Sequence, residues 1–152
     1  MLEAWRMVKE KHLATAFSGE GAAKTGGRWN SRGVAVVYTS ATRSLAALET
    51  LVHLNPPVMF NYGIIRIEFD EEWVERLTLA ALPTDWKVEP PPLSTRQLGD
   101  EWARALRSAI LAVPSVIIPQ ETNYVLNPAH PNFRKIAIGQ PAGFAFDPRL
   151  LA

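Results

Sequence analysis

The sequence predicts a single α+β domain, and three observations lead to this class. Segments 34–40 and 63–69 are rich in β-branched and apolar residues that alternate between two faces, as in β-strands. Segments 41–53 and 100–112 repeat apolar residues at helical spacing. At 152 residues and 47% hydrophobic composition, the chain is long enough for one core and too short for two domains. Because strands and helices do not alternate at the regular spacing of a doubly wound sheet, we expect one compact mixed domain over residues 1–152.

The first half of the chain contains the clearest patterns. Segment 34–40 is predicted as a strand with Tyr38 on the same face as two valines. A capping-type serine or threonine then precedes a helix that runs to residue 53, with Leu45 in its apolar stripe. A second strand over 63–69 follows, and a short acidic helix over 70–77 is expected after it.

The second half begins with a proline-rich connection. Four prolines between residues 82 and 94 exclude regular structure and predict an exposed loop. A second helix is predicted over 100–112, with Trp102, Leu106 and Ile110 stacked at four-residue spacing. The remaining strands are predicted over 115–118, 134–138 and 143–146.

Composition excludes several classes of function. Lysine and arginine number 16 against 15 acidic residues, and a net charge of +1 favours neither direct nucleic-acid binding nor an anionic membrane. The absence of cysteine removes disulfides, thiol nucleophiles and thiolate metal sites, and the three histidines share no metal-ligand spacing, so no metal is expected. The N-terminus lacks a secretory signal and no run reaches membrane-spanning length. We expect a soluble, cytoplasmic protein.

Segment 26–33 is the most informative stretch of the chain. Its two leading glycines let the backbone turn or approach a ligand closely. Arg28 and Arg32 then supply two guanidinium groups, and Trp29 and Asn30 supply an indole and an amide. This composition predicts the wall of a site that grips an anion. Ordinary surface ion pairs are the alternative for both arginines.

Glu49 is the clearest candidate for an acid group with a function. It lies about 40° around the predicted helix from Leu45, at the edge of the apolar stripe, and should be partly buried. A carboxylate in that position needs a partner or a function, and a structural salt bridge is the alternative. Tyr38 and Ser115 are each consistent with ordinary roles, as a core aromatic residue and a residue at a strand start.

Six blocks of the sequence resemble the RES domain family, in the order found in that family and over nearly the whole chain. They include Gly-Gly-Arg-Trp-Asn and Asn-Tyr-Val-Leu-Asn-Pro-Ala-His-Pro. The family is named for an arginine, a glutamate and a serine, which match Arg28, Glu49 and Ser115. The blocks occupy residues 17–22, 26–30, 37–40, 45–49, 113–119 and 123–131.

The resemblance implies a fold similar to ADP-ribosyltransferases and a role as the toxin of a bacterial type II toxin–antitoxin pair. It implies NAD⁺ as the substrate, with no further cofactor, and cleavage of the nicotinamide–ribose bond by hydrolysis or phosphorolysis. Transfer of ADP-ribose to a protein and a catalytically silent nucleotide- or partner-binding module are the alternatives. The implied partners are an Xre-like antitoxin and a second copy of the chain within that complex.

The resemblance also implies roles for single residues, and local chemistry agrees with them. Breaking the glycosidic bond makes the ribose oxocarbenium-like, and Glu49 can stabilise that positive charge. Because nicotinamide leaves as a neutral molecule, one carboxylate suffices and no general acid is needed. The sequence leaves open whether water, phosphate or a protein side chain is the acceptor. The resemblance implies Glu49, Arg28 and Ser115 as the catalytic residues. Roles in binding are expected for Arg28 and Arg32 at the phosphates, Tyr38 at the nicotinamide or its ribose, and Ser115 and Asn123 as hydrogen-bonding groups.

Overall fold

One mixed β-sheet organises the fold. The computed structural model describes residues 1–54 and 60–151, and their strands form an eight-stranded sheet. Its order is β4–β5–β6–β2–β1–β3–β7, with β8 also paired to β3, and only β4 and β5 run parallel. The strands are β1 Leu2–Lys9, β2 Val37–Ser40, β3 Tyr62–Phe69, β4 Val74–Arg76, β5 Ile110–Pro114, β6 Thr122–Leu126, β7 Ala137–Ile138 and β8 Ala142–Phe144.

Helices connect these strands and cover the sheet. The α-helices of the described residues are α1 Glu20–Thr25, α2 Arg43–Leu51 and α3 Leu93–Arg104. None of the described helices has both the length and the apolar character needed to cross a bilayer. This mixture of helices and a largely antiparallel sheet confirms the predicted α+β class. Short 3-10 helices lie at Glu10–Thr15, Glu71–Trp73, Leu79–Ala81, Pro131–Lys135 and Pro148–Leu151.

Two predicted elements match the structure closely. Helix α2 begins after Thr42, whose hydroxyl accepts a hydrogen bond from the Leu45 amide at 3.0 Å, as expected for an N-cap. Strand β3 covers the segment predicted at 63–69 and begins one residue earlier. The strand predicted from residue 34 is shorter, because only residues 37–40 join the ladder.

The N-terminal segment is a strand that the sequence analysis did not predict. Strand β1 pairs with β3 along its whole length, from Leu2 opposite Phe69 to Lys9 opposite Tyr62. Its buried residues come in neighbouring pairs, which lie on both faces of the sheet. A strand buried on two faces lacks the alternation of apolar and polar residues that marks a half-exposed strand.

The helix predicted over 100–112 is wrong in its position. Helix α3 begins at Leu93, directly after the proline-rich loop, and Leu106 adopts a left-handed conformation with φ of 52° just after its end. Ile110 belongs to strand β5, which lies in the interior of the sheet. The spacing from Trp102 to Ile110 therefore joined two different elements, because a short buried strand is as uniformly apolar as a buried helix segment.

Local hydrogen bonds explain the remaining differences. The strand predicted over 115–118 is a loop, because the Ser115 hydroxyl accepts the backbone amides of Ile117 and Ile118 that a ladder would need. The acidic helix predicted over 70–77 is a 3-10 turn followed by β4, whose residues pair with β5. The last two predicted strands are shorter than expected, at Ala137–Ile138 and Ala142–Phe144.

Helices α2 and α3 cover the same face of the sheet over different strands. Val125 packs against Trp102 of α3 and pairs across the strands with Tyr38. Ser40 follows Tyr38 by two residues, so both project from the same face. Ser40 pairs in turn with Trp5, which packs against α2. Tyr38 and Ser40 therefore lie on the stretch of sheet between the two helices.

Candidate active site between helices α2 and α3

Glu49 lies at the edge of α2 and is held by two hydrogen bonds on one oxygen. Leu45, one turn earlier, is fully buried, and Glu49 is half-buried as its helical position predicts. Its Oε1 accepts a hydrogen bond from Ser115 Oγ at 2.8 Å and another from Asn123 Nδ2 at 2.9 Å. No described residue donates a hydrogen bond to Oε2. The structure thus brings together three of the residues singled out in the sequence.

The Ser115 hydroxyl is aimed at Glu49 by its own local bonds. Ser115 follows the end of β5 and is 0% exposed. Its Oγ accepts the backbone amides of Ile117 and Ile118, each at 3.1 Å. With its acceptor capacity occupied in this way, the hydroxyl proton is directed to the carboxylate.

Asn123 is oriented by Ser40, a residue that the sequence analysis did not single out. The two residues pair across β6 and β2, and Ser40 Oγ donates to Asn123 Oδ1 at 2.7 Å. The amide oxygen is therefore fixed toward Ser40, and the NH₂ group faces Glu49. Ser40 lies two residues after Tyr38 and therefore on the same sheet face. This spacing is the feature of the sequence from which Ser40 could have been found.

Segment 26–33 is a tight turn whose polar groups mostly face inward. Asn30 is fully buried, and its Nδ2 donates to the carbonyls of Ala22 and Val34 at 2.9 and 3.0 Å. Ser31 donates to both carboxylate oxygens of Asp100, through its amide at 2.8 Å and its hydroxyl at 2.5 Å. The Trp29 indole is 3% exposed and packs in the core beside α3. The amide and the indole that the sequence suggested for ligand binding are therefore committed to the fold.

Arg28 points out of this turn and meets the proline-rich loop. Its Nη1 donates to the carbonyls of Trp86 and Val88, both at 2.8 Å. Its Nη2 pairs with the Glu89 carboxylate at 2.9 Å. Arg32 is exposed and forms no ion pair within residues 1–54 and 60–151. Hydrogen bonds do not join either arginine to the Glu49 cluster in the described part of the chain.

Tyr38 connects the turn to the Glu49 cluster. Its hydroxyl donates to Asn30 Oδ1 at 2.6 Å and accepts the Trp29 amide at 3.1 Å. A Cβ on Gly27 would lie 2.7 Å from this hydroxyl, so glycine is needed for the approach. Burial raises the pKa of Tyr38, and its phenol stays neutral at physiological pH. Tyr38 and Ser40, which start the hydrogen bonds to the turn and to Asn123, are two residues and about 7 Å apart along β2.

Arg6 supports Tyr38 from the neighbouring strand. Its Nε donates to the Ala16 carbonyl at 3.0 Å and its Nη1 to the Tyr38 carbonyl at 3.2 Å. Burial lowers the pKa of Arg6 to about 10. Strand β1 shares only one register pair with β2, so this guanidinium supplies a bond that the ladder lacks. Sequence reasoning misses this residue, because a lone arginine in a strand resembles a surface group.

The residues described here contain no cluster of three or more histidine, cysteine, aspartate or glutamate side chains that could hold a metal ion. What the site offers instead is a fixed carboxylate with one free oxygen, a neutral phenol and a guanidinium. Such a set suits a ligand with a positive reacting centre and an anionic portion.

Comparison with known proteins identifies the fold and the family of this chain. A chain in the crystal structure of the M. tuberculosis MbcT–MbcA toxin–antitoxin complex has the same fold, with a TM-score of 0.68 and 18% identity. The likeness covers 94% of this chain and 84% of that one. The two chains therefore share a fold. The RES domain family matches residues 3–147, and the chain belongs to this family.

Proteins similar over their whole length carry toxin names. The "Prs ADP-ribosylating toxin" of Sphingobium sp. (strain YBL2) is 40% identical over 153 residues, covering 97% of this chain and 95% of the relative. The "Toxin Res" of Yersinia enterocolitica is 39% identical over 148 residues, covering 96% of this chain and 97% of the relative. The "Toxin Res" of Photorhabdus laumondii is 36% identical over 149 residues.

Proposed function

We propose that this protein is the toxin of a toxin–antitoxin system and that it degrades NAD⁺ by cleaving the nicotinamide–ribose bond. The observation that carries this proposal is the Glu49 carboxylate, held on Oε1 by Ser115 and Asn123 with Oε2 left for a ligand. Its membership of a family with toxin relatives supports the biological role.

The geometry suits departure of nicotinamide, which leaves as a neutral molecule while the ribose becomes cationic. As the nicotinamide–ribose bond lengthens, positive charge develops on the ribose, and a fixed carboxylate stabilises it without reorganisation. Oε2 of Glu49 can also accept a hydrogen bond from a ribose hydroxyl. The electrons of the breaking bond go to the nicotinamide nitrogen, which becomes neutral, and the acceptor adds to the ribose carbon. Water as acceptor loses a proton to solvent and gives ADP-ribose, and phosphate gives its phosphorylated form.

Arg28 and Tyr38 supply the remaining contacts in this proposal. The Arg28 guanidinium pairs with the pyrophosphate of NAD⁺, with exposed Arg32 as a secondary cation. Tyr38 offers its neutral ring to the nicotinamide or the adjoining ribose, because its hydroxyl is already engaged within the protein. Ser115 and Asn123 act through Glu49, because both side chains donate hydrogen bonds to its carboxylate.

Release of nicotinamide from NAD⁺ by the purified protein tests the proposal. Glu49→Gln keeps an oxygen for Ser115 and Asn123 but removes the charge, and should lower kcat by about 10²- to 10³-fold while the fold survives. Glu68→Gln makes the same change at an exposed ion pair with Arg66 and should leave the rate near that of the wild type. Normal turnover by a folded Glu49→Gln variant would exclude the mechanism.

A second activity, transfer of ADP-ribose to a protein, is favoured by one comparison. The Sphingobium relative, 40% identical, is named an ADP-ribosylating toxin. Transfer needs the same bond cleavage, with a protein side chain as the acceptor. Incubation with NAD⁺ labelled in its adenine separates the outcomes: label on a protein indicates transfer, and label in free ADP-ribose or its phosphate indicates degradation. Tight NAD⁺ binding without any product indicates a silent binding module.

A toxin of this family is expected to have a protein partner that inhibits it. We propose a protein antitoxin of the Xre-like type that blocks the site, since the structural neighbour comes from a toxin–antitoxin complex. A homodimer within that complex is proposed on the family resemblance alone. Growth arrest on expression of the chain, relieved by co-expression of the neighbouring gene product, tests the antitoxin.

A further inference from the structure

The three contacts of the Arg28 guanidinium differ in kind. Nη1 donates to two main-chain carbonyls, at Trp86 and Val88. Nη2 donates to a carboxylate, at Glu89. The Arg28 side chain is 13% exposed, whereas the Glu89 side chain is 61% exposed. The guanidinium is therefore anchored on one side by backbone and paired on the other by a side chain that stands in solvent.

These contacts also differ in how easily they open. Breaking the two carbonyl bonds requires the backbone of residues 86–88 to move. Releasing Glu89 requires only rotation of an exposed side chain into water. The Glu89 end of this pair stands in solvent, and ion pairs in solvent are weak, corresponding to a factor of about five or less in an equilibrium constant. An anion that reaches Arg28 can thus displace the Glu89 carboxylate while the carbonyl bonds stay in place.

We propose that Glu89 is a built-in competitor for the anion-binding group of the site. In the free protein it occupies Arg28 Nη2, and a phosphate or pyrophosphate group must replace it there. The inference rests on the proposed function for the identity of the physiological anion. With such competition, the apparent Kd equals the intrinsic Kd divided by the fraction of molecules in which Arg28 Nη2 is free. Glu89 then sets how much dinucleotide is needed to fill the site.

The same loop provides a matched control. Asp85 lies four residues before Glu89 and carries the same charge, but its carboxylate accepts a hydrogen bond from Ser94 Oγ at 2.6 Å and none from Arg28. Asp85→Asn lowers the negative charge of the loop without releasing the guanidinium. A larger effect on anion binding at Glu89 than at Asp85 therefore reports the direct ion pair with Arg28. The overall negative charge of the loop would affect both positions.

Calorimetric binding of inorganic pyrophosphate and of ADP-ribose tests the proposal directly. Glu89→Ala should lower Kd for both ligands by two- to fivefold, the range set by a weak exposed pair. Glu89→Gln, which keeps an acceptor but loses the charge, should give a smaller decrease. Asp85→Asn should stay within about 1.5-fold of the wild type, as expected for a screened charge. Equal or weaker binding by Glu89→Ala, or no binding of pyrophosphate by that variant, overturns the proposal.

A double-mutant cycle assigns the effect to Arg28. In an Arg28→Met background the Glu89→Ala change should no longer tighten binding, because the group it releases is absent. The same gain in both backgrounds would overturn the direct pairing.

These binding measurements also separate the proposal from the activity. If the protein releases no nicotinamide but Glu89→Ala still tightens pyrophosphate binding, the proposed function fails and the competition stands. If NAD⁺ is cleaved but Glu89→Ala lowers neither KM nor Kd, the competition fails and the function stands.

Discussion

Asn123 is the residue whose replacement tests the architecture of the candidate site most directly. Its Nδ2 donates to Glu49 Oε1 at 2.9 Å, and its Oδ1 accepts from Ser40 Oγ at 2.7 Å. Asn123→Asp keeps the shape of the side chain and its acceptor for Ser40. It replaces the donor that faces Glu49 with a negatively charged acceptor. Two carboxylates then meet at hydrogen-bond distance.

The energetic cost follows from the 2.9 Å separation. At an effective dielectric constant of about 20, two unit charges at this distance repel by about 6 kcal/mol. The variant avoids this repulsion if one of the two carboxylates stays protonated. Keeping that proton costs about 1.4 kcal/mol for each pH unit above the usual carboxyl range, or about 5 kcal/mol at pH 8. Because both side chains are half-buried, solvent screens part of this energy. We expect the free energy of unfolding to fall by about 2–4 kcal/mol at pH 8.

The shared proton gives the variant a characteristic pH dependence. The folded variant holds a proton that the unfolded chain releases, so its free energy of unfolding falls as pH rises above about 4. Thermal denaturation measures this effect: the variant should melt within about 5 °C of the wild type at pH 5 and about 5–15 °C below it at pH 8. Asn61→Asp adds the same charge at an exposed position and should show no such divergence. Parallel melting of Asn123→Asp and wild type from pH 5 to pH 8 would refute the contact.

Two further substitutions test the packing that supports the site. Gly99→Ala places a Cβ 1.7 Å from the Trp29 carbonyl oxygen, so α3 must shift away from the turn. We expect a loss of about 3 kcal/mol, measured by urea denaturation. Tyr38→Phe leaves Asn30 Oδ1 and the Trp29 amide without their partner, which should lower the free energy of unfolding by about 2–4 kcal/mol in the same assay.

Matched variants control for the two chemical changes. A Cβ on Gly21 meets nothing within 4 Å, so Gly21→Ala in helix α1 should be neutral or stabilising by up to about 1 kcal/mol. The Tyr62 hydroxyl is buried with no hydrogen-bond partner among the described residues, so Tyr62→Phe should cost nothing. Equal stability of Gly99→Ala and Gly21→Ala, or of the two tyrosine variants, would contradict the packing described here.

Glu49 could be located from the sequence because a helix is a local pattern. Its position four residues after buried Leu45 places it at the edge of the apolar stripe, and the structure finds it half-buried there. Its partners depend on contacts between distant parts of the chain. Ser115 lies 66 residues and Asn123 74 residues away from it in sequence. Only the family resemblance brought these two residues into the prediction.

The elements missed by sequence analysis share a physical cause. Strands β1, β5 and β6 lie in the interior of the sheet and are buried on both faces over much of their length. Such strands show no alternation, so the sequence pattern does not separate β5 from the preceding helix and predicts no strand at β6. Edge strand β4 is missed for another reason, because it is short and pairs with a single neighbouring strand. Strand β7, at the other edge, is also short and pairs with a single strand, and it covers only the end of the segment predicted over 134–138.

Segment 26–33 shows why polar residues in a glycine-rich turn do not all serve a ligand. A turn buried against α3 must satisfy its own backbone, and Asn30 and Ser31 do so through bonds to neighbouring carbonyls and to Asp100. These bonds fix the main chain from which Arg28 projects. Because the base of Arg28 is rigid and two of its contacts are to backbone, the group that can yield to an arriving anion is the exposed carboxylate of Glu89. The sequence located the guanidinium, but the residue that competes for it is 61 positions further along the chain.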